Sequence, residues 1–350
     1  MREPPFWSQH TPTWQAHILS PFALLYGAGE AAHRFWRRPQ MPSKPVICVG
    51  NFTTGGAGKT PTARWLAQWL KARGHNPAIL SRGFGGAKTK NPIRIDASQI
   101  WQYNAAQIGD EPLLLAQDAP TYINANRHYS LRAAIKDGHD CAIKDDGFQN
   151  PTMRHCFNLV VVDAATGIGN GLLLPAGAMR QPLSIGLQKA DALLVLGTYE
   201  QHPSLDGLLA QAAHYKVPVF RGAIKISADA RPKRVFAYCG IAHPQKFYTT
   251  LEQSRYDVVG TQSFDDHHNF TEKQAHALCA KAIETNATLI TTEKDYVRLQ
   301  NMPPASARAK LAKLSETLPI HLQIENETAL QKMIGNAIDA FHRPEPYTAY

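Results

Sequence analysis

Thr53-Thr54-Gly55-Gly56-Ala57-Gly58-Lys59-Thr60 lies between the apolar run Pro45-Val46-Ile47-Cys48-Val49 and the segment Pro61-Thr62-Ala63-Arg64-Trp65-Leu66. The order reads strand, glycine-rich loop, helix. Such a loop aims successive backbone N–H groups at phosphate oxygens, and the helix N-terminus adds the positive end of its dipole. In that arrangement Lys59 reaches the terminal phosphates and the Thr60 hydroxyl sits on Mg²⁺, so Thr53 through Thr60 are the expected nucleotide-binding residues. The full phosphate-loop pattern begins with glycine, where this chain has Thr53. The match is therefore to the tail, G-x-G-K-T.

Outward from this loop, strand-like runs recur at Ala78-Ile79-Leu80, Thr121-Tyr122-Ile123, Cys141-Ala142-Ile143, Leu159 to Val162 and Leu193 to Leu196. Helical patterns lie between several of them, for example Ser130 to Lys136. The alternation predicts an α/β fold: a mostly parallel, P-loop NTPase-like sheet with helices on both faces. Ligands then belong at the carboxyl ends of the strands. A second, smaller α/β unit is expected from near Arg231, with strands at 235–238, 257–259 and 287–291 and helices at 244–253 and 271–284. Thr271-Glu272-Lys273-Gln274 has the form of a capping box. The expected division is 1–40 as an N-terminal amphipathic segment, 41–228 as the phosphate-loop core, 229–324 as the smaller domain and 325–350 as a terminal helix and tail.

Several loops carry residues suited to chemistry. Asp145-Asp146-Gly147-Phe148-Gln149 places two carboxylates at a strand end, suited to holding Mg²⁺, although an Asp-Gly turn has the same form. Asp163, ending Val160-Val161-Val162, is a rival for that role, because Lys144 interrupts the apolar run before Asp145. Asp110, in Gly109-Asp110-Glu111-Pro112, fits either a helix cap or a general base. In Asp265-Asp266-His267-His268-Asn269 a histidine can share a proton with a carboxylate. Ser81-Arg82-Gly83-Phe84-Gly85-Gly86 and the loop from Gly169-Asn170-Gly171 to Arg180 are glycine-rich and suit close approach to a ligand. Thr291-Thr292-Glu293-Lys294-Asp295 ends a strand and is placed to close over a nucleotide.

The chain has 350 residues, 44% of them hydrophobic, and a formal net charge of +9. This balance suits an anionic membrane surface or a phosphorylated substrate. Without long Lys/Arg runs or an RNA-binding aromatic motif, no nucleic-acid partner is expected. The five cysteines are odd in number and lack C-x-x-C spacing, so reduced thiols in a cytoplasmic setting are expected. No signal peptide or membrane-spanning stretch is expected. Ser20-Pro21 reads as the cap and first residue of a helix carrying Leu24, Leu25, Ala28, Ala32, Phe35 and Trp36. With His33, Arg34, Arg37 and Arg38 beside its aromatics, that helix suits either a membrane interface or a packed face of the core.

Taken together, the ordered set of motifs resembles the tetraacyldisaccharide 4′-kinase (lipid A 4′-kinase) family. The motifs are Gly50-Asn51-Phe52-Thr53 running into Gly55 through Pro61, Ser81 to Gly85, Gly109 to Pro112, Asp145 to Gln149, Gly169 to Gly177, Asp266-His267-His268 and Thr292 to Asp295. The resemblance implies ATP- and Mg²⁺-dependent phosphorylation of the 4′-hydroxyl of an acylated glucosamine disaccharide 1-phosphate. It implies peripheral attachment to the inner-membrane surface, at the cytoplasmic face of the Gram-negative inner membrane. It also implies Asp110 and His267 as the base, Lys59 on the phosphates, and Thr60, Asp145 and Asp146 at the metal. Apart from the resemblance, Arg82 and Arg127 are expected to contact the sugar or its phosphate, with Asn170 and Arg180 as further substrate contacts. Three departures from the family's pattern stand out: Lys144 where an apolar residue is common, Asn150 where His is usual, and Gln181 where the pattern has Glu. Two other classes are compatible with the loop alone, a membrane-associated regulatory ATPase and a soluble small-metabolite kinase.

Overall fold

The computed structural model describes residues 3–83, 90–197, 202–227 and 233–342. The chain forms two compact units. The larger comprises Glu3–Ser81, Asn126–Ile224 and the segment from Leu322 onward. Its strands run in the order Ile320–Ile324, Val219–Ile226, Ala192–Leu196, Phe157–Asp163, Val46–Gly50, Cys141–Asp145, Pro77–Ser81. From Val219–Ile226 to Pro77–Ser81 every neighbouring pair is parallel.

The Val46–Gly50 strand is buried along its whole length, as a central parallel strand covered on both faces must be. Alternate residues divide between two layers. Cys48, Val160, Val162, Leu193 and Val195 pack with Leu187, Leu205 and Leu208 of the helices Leu183–Lys189 and Ser204–His214. The helix Lys59–Ala72 buries Ala63, Leu66 and Leu70, and its Trp65 Nε1 donates to Glu327 Oε1 of the helix Glu327–His342 at 3.0 Å.

The second unit comprises Arg82–Ala125 and Lys225–His321. Its sheet runs Asp257–Ser263, Arg234–Cys239, Thr288–Thr291, Ser315–Thr317, all neighbours parallel. Val235, Ala237 and Cys239 face the helix Pro244–Gln253, whereas Phe236 and Tyr238 face Glu272–Thr285. The expected capping box at Thr271 and Gln274 is present.

Two expectations differ from the structure. The segment 82–125, expected inside a contiguous 41–228 core, belongs to the second unit. The reason is local: the helix Asp110–Leu115 sends Leu113 and Leu114 into a cluster with Val297 of the helix Glu293–Leu299. The N-terminal helix runs Trp14–Trp36 with Pro21 inside it. Ser20 does not cap it; its Oγ bonds the Ala16 carbonyl at 2.9 Å, one turn back, as interior serines do. The boundary residues 229 and 231, Phe84 to Gly86 and the tail beyond His342 lie outside the described residues.

Where the central strand ends, Gly50 passes so close to the acidic loop that a Cβ there would fall 2.4 Å from Phe148 Cβ. Gly50→Ala should therefore destabilise the protein by about 1–3 kcal/mol, the usual cost of overpacking, read as a lowered denaturant midpoint.

Candidate active site

In the larger unit, the loop between Gly50 and Lys59 is shaped by two glycines at φ +90°, Gly55 and Gly58, conformations that residues with a Cβ resist. Gly58 ends the loop and starts the helix, so the first helical N–H groups are turned toward it. Thr53 forms an antiparallel bridge with Met179, and Thr54 N donates to Ala178 O at 2.9 Å. This extended bridge explains why a threonine stands at 53, where the strict pattern has glycine: a β-branched residue suits that backbone.

Lys59 is nearly buried, its Nζ bonded to Gly55 O at 3.3 Å and 3.8 Å from Asp146 Oδ2. Asp146 Oδ1 accepts from Arg180 Nη1 at 2.7 Å, and the Asp146 carbonyl accepts from Arg127 Nη2 at 3.5 Å. Burial alone would raise the Asp146 carboxyl; Lys59 and Arg180 outweigh it and hold Asp146 below the usual carboxylate range. Asp146 also sits at φ 44°, a left-handed conformation rare outside glycine. Asp145 beside it is buried. Asp163, the rival, accepts the Ala165 N–H on Oδ1 at 3.0 Å, the bond of an Asx turn. Asn170 is likewise committed to its own loop, donating to Ala176 O and accepting from Leu172 N. Arg82 is exposed in the second unit.

In the second unit, Asp110 and His267 meet although 157 positions apart: His267 Nδ1 lies 3.0 Å from Asp110 Oδ2. Gly109, not Asp110, holds the cap position of the helix Asp110–Leu115. Asp110 Oδ1 takes the Glu111 N–H at 2.9 Å, while Oδ2 also receives Nε of Arg298 at 2.8 Å and its Nη2. Arg298 Nη1 reaches Asp295 Oδ1 at 2.7 Å and Gly240 O at 3.0 Å. Burial by itself would raise Asp110. The bond from His267 and the charges of Arg298 and Lys294 reverse this and keep it ionised far below the ordinary range. His268 turns away, bonding Gln274 Oε1 at 2.9 Å and stacking on Phe264.

Sequence reasoning missed the support behind these groups. Lys294, Asp295 and Arg298 share the helix Glu293–Leu299 at i, i+1 and i+4, a spacing that places Lys294 and Arg298 on one face. Lys144, fully buried in its strand, points Nζ at His155 Nε2, 3.2 Å away, and His155 in turn bonds Asn158. Burial pulls Lys144 down to about 8 and His155 to about 3. Glu3 also escaped notice: a Cβ on Gly55 would lie 2.5 Å from its Oε1, so this carboxylate rests on the phosphate loop. Its segment is strapped down by Trp7, whose Nε1 donates to Pro175 O and whose carbonyl accepts from Asn170 N. Gln181 is fully buried, and neither amide atom has a hydrogen-bond partner among the described residues.

The Trp14–Trp36 helix turns Ala16 and Ala23 inward and leaves Trp14, Ile18, Phe22 and Leu25 exposed at successive turns, with Phe35 and Trp36 at its end. No described helix is long and apolar enough to cross a membrane. The cysteines are unpaired, and burial pushes Cys48 up to about 12 and Cys239 to about 11, so these thiols are unreactive.

The profile of the tetraacyldisaccharide-1-P 4′-kinase family matches residues 15–339. A tetraacyldisaccharide 4′-kinase of Parvibaculum lavamentivorans is 41% identical, across 98% of this chain and all of that protein. One from Agrobacterium fabrum is 45% identical, across 85% of this chain and 83% of that protein. Among solved structures, LpxK from Aquifex aeolicus in complex with ATP superposes with a TM-score of 0.70 at 24% identity, covering 92% of this chain and 99% of that one. That likeness extends the fold over nearly the whole chain.

Two outcomes follow from the charges. Unfolded, Lys144 keeps its proton to about pH 10.5; folded, it loses it near 8, so stability should rise with pH across that window. Lys144→Met should abolish this rise and stabilise the protein at pH 7 by about 1–3 kcal/mol, measured by urea unfolding at pH 7 and 9.5. Glu3→Gln should tighten binding of a nucleoside triphosphate about threefold by calorimetry, the scale of one exposed charge contact removed.

Proposed function

Because the chain belongs to the tetraacyldisaccharide-1-phosphate 4′-kinase family, we infer that it transfers the γ-phosphate of ATP to the 4′-hydroxyl of a tetraacylated glucosamine disaccharide 1-phosphate. The observation that carries this reading is the Asp110–His267 pair, in a chain that also holds a phosphate loop. A regulatory ATPase has no acceptor hydroxyl to deprotonate; a kinase does.

The residues divide the work as follows. Backbone N–H groups from Gly55 to Thr60 cradle the phosphates, and Lys59 moves from Gly55 O to the terminal phosphates. Asp145, Asp146 and the Thr60 hydroxyl form a set of hard oxygen donors, the kind Mg²⁺ prefers. When bound there, the ion would neutralise charge on the phosphates. Gln181 offers only a neutral amide, so the site's negative charge rests on the two aspartates. Arg180 and Arg127 hold the Asp146 loop and add positive charge beside it. In a loose phosphoryl transition state, positioning and charge carry most of the catalysis.

In the second unit, His267 accepts the proton and Asp110 orients it. Asp110 is the buried, saturated partner, whereas the imidazole is 37% exposed. This is the division of labour of any carboxylate–imidazole pair in which the acid keeps its charge. The exposed face of the Trp14–Trp36 helix suits the interface of a membrane, with Arg37 and Arg38 beside it for anionic headgroups. An acylated substrate resides in such a surface, which supports peripheral attachment at the inner membrane.

Labelled γ-phosphate transfer to a tetraacyldisaccharide 1-phosphate in detergent tests the reaction. Asp110→Asn and His267→Ala should each lower kcat about 10²- to 10⁴-fold with ATP KM nearly unchanged. ATP turnover that ignores the acceptor would favour the regulatory ATPase, and turnover with a water-soluble acceptor the metabolite kinase. Replacing Trp14, Ile18, Phe22 and Leu25 by serine should cut co-flotation with anionic vesicles at least about tenfold, since each buried apolar side chain contributes about 1.5–3 kcal/mol. Unchanged flotation would sink the membrane role of this helix.

A further inference from the structure

Lys294 Nζ lies 3.2 Å from His267 Nε2 and 3.7 Å from Glu111 Oε1, and its side chain is 25% exposed. An ammonium group can only donate. His267 Nε2 must therefore be the accepting, unprotonated nitrogen, and Nδ1 must carry the hydrogen that points at Asp110 Oδ2. The tautomer follows from two contacts at opposite ends of one ring. Both contacts trace to the helix Glu293–Leu299. Arg298 fixes the buried carboxylate at one end of the pair, and Lys294, one turn earlier, meets the exposed nitrogen at the other. Asp266 Oδ2 also approaches this nitrogen, at 3.8 Å.

We propose that Lys294 is a catalytic residue, which holds the base nitrogen of His267 in its accepting form and then stabilises the acceptor oxygen as it is phosphorylated. This rests on the reading of His267 as the base. A hydroxyl that gives its proton to Nε2 must occupy the position where Lys294 now donates, so the displaced ammonium stays within hydrogen-bond reach of the same oxygen. The proton passes from the acceptor hydroxyl to Nε2. The acceptor oxygen forms its bond to the γ-phosphorus as the bond from that phosphorus to the ADP oxygen breaks, and the electron pair leaves with ADP. Negative charge on the oxygens around the transferring group is what an adjacent cation stabilises. Glu111, 3.7 Å from Nζ, keeps the side chain on station without neutralising it by close contact. The ammonium acts as a single mobile donor here, a role suited to lysine more than to the fixed fork of arginine.

The test compares wild type with Lys294→Met, Lys294→Arg and Lys294→Cys in γ-phosphate transfer to a tetraacyldisaccharide 1-phosphate. Lys294→Met should lose about 10²-fold in kcat, the scale of one lost transition-state donor, with ATP KM within twofold and the melting temperature unchanged. Lys294→Arg should retain more activity than Lys294→Met. Lys294→Cys should be as impaired as Lys294→Met and regain activity after aminoethylation with bromoethylamine, which rebuilds an ammonium of nearly the same reach; wild type carried through the same treatment controls for modification of native thiols such as the half-buried Cys156. A kcat for Lys294→Met within threefold of wild type overturns the proposal, as does a failure of aminoethylation to restore Lys294→Cys. Wild-type protein that leaves the lipid unlabelled overturns the kinase reading and this inference with it.

Discussion

The parallel register between Val49 and Asp145 is the constraint on which the larger unit depends. Two strands that run together and end together deliver their following loops to the same place. The Asp146 N–H closes the arrangement by donating to Val49 O at 3.1 Å. The phosphate loop and the acidic pair, almost a hundred positions apart in sequence, thus become neighbours, and Lys59 finds Asp146. The tight passage of Gly50 past Phe148 belongs to the same junction. A shift of one residue would turn every side chain of these strands to the opposite layer and separate the two loops.

Buried charge organises both units, and in each it is shared among several partners. Arg298 binds Asp110, Asp295 and Gly240 O in one plane of contacts. A buried ion pair seldom adds much net stability, but it fixes position well when all donors are satisfied. Asp110 needs position, because it determines where His267 points. In the larger unit Asp146 is held by Lys59 and Arg180 in a left-handed conformation. His267 is also left-handed, at φ 57°. Two non-glycine residues at the two reactive loops share a costly backbone conformation that the surrounding contacts enforce.

Lys144 shows the same physics without evident function. Its strand requires a residue facing inward, the side chain is long, and His155 meets the buried ammonium. The residue departs from an apolar pattern, and the fold accommodates it with one hydrogen-bond chain through Asn158.

Local chemistry made much of this protein legible in its sequence. Glycines at 55 and 58 ahead of Lys59 announce a phosphate loop because few residues tolerate the required backbone. The alternation of apolar runs with helical patterns announces a parallel sheet, because strands covered on both faces need continuous apolar character. The helix Pro244–Gln253 and the capping box at Thr271 were readable for the same reason: their signals lie within a few residues. The choice between Asp110 as cap and as partner of His267 was decided by a contact spanning 157 positions. So were the choice of His267 over His268, the assignment of 82–125 to the second unit and the reach of Lys294 and Arg298 to the pair. The N-terminal helix ran through Pro21 for a related reason, since its small residues Ala16 and Ala23 are buried against the protein. Sequence alone determined the kinds of loop this chain would build, because those follow from backbone preferences. Tertiary structure alone decided which side chains share protons and charges, because those partnerships depend on strand register and helix packing that bring distant residues together.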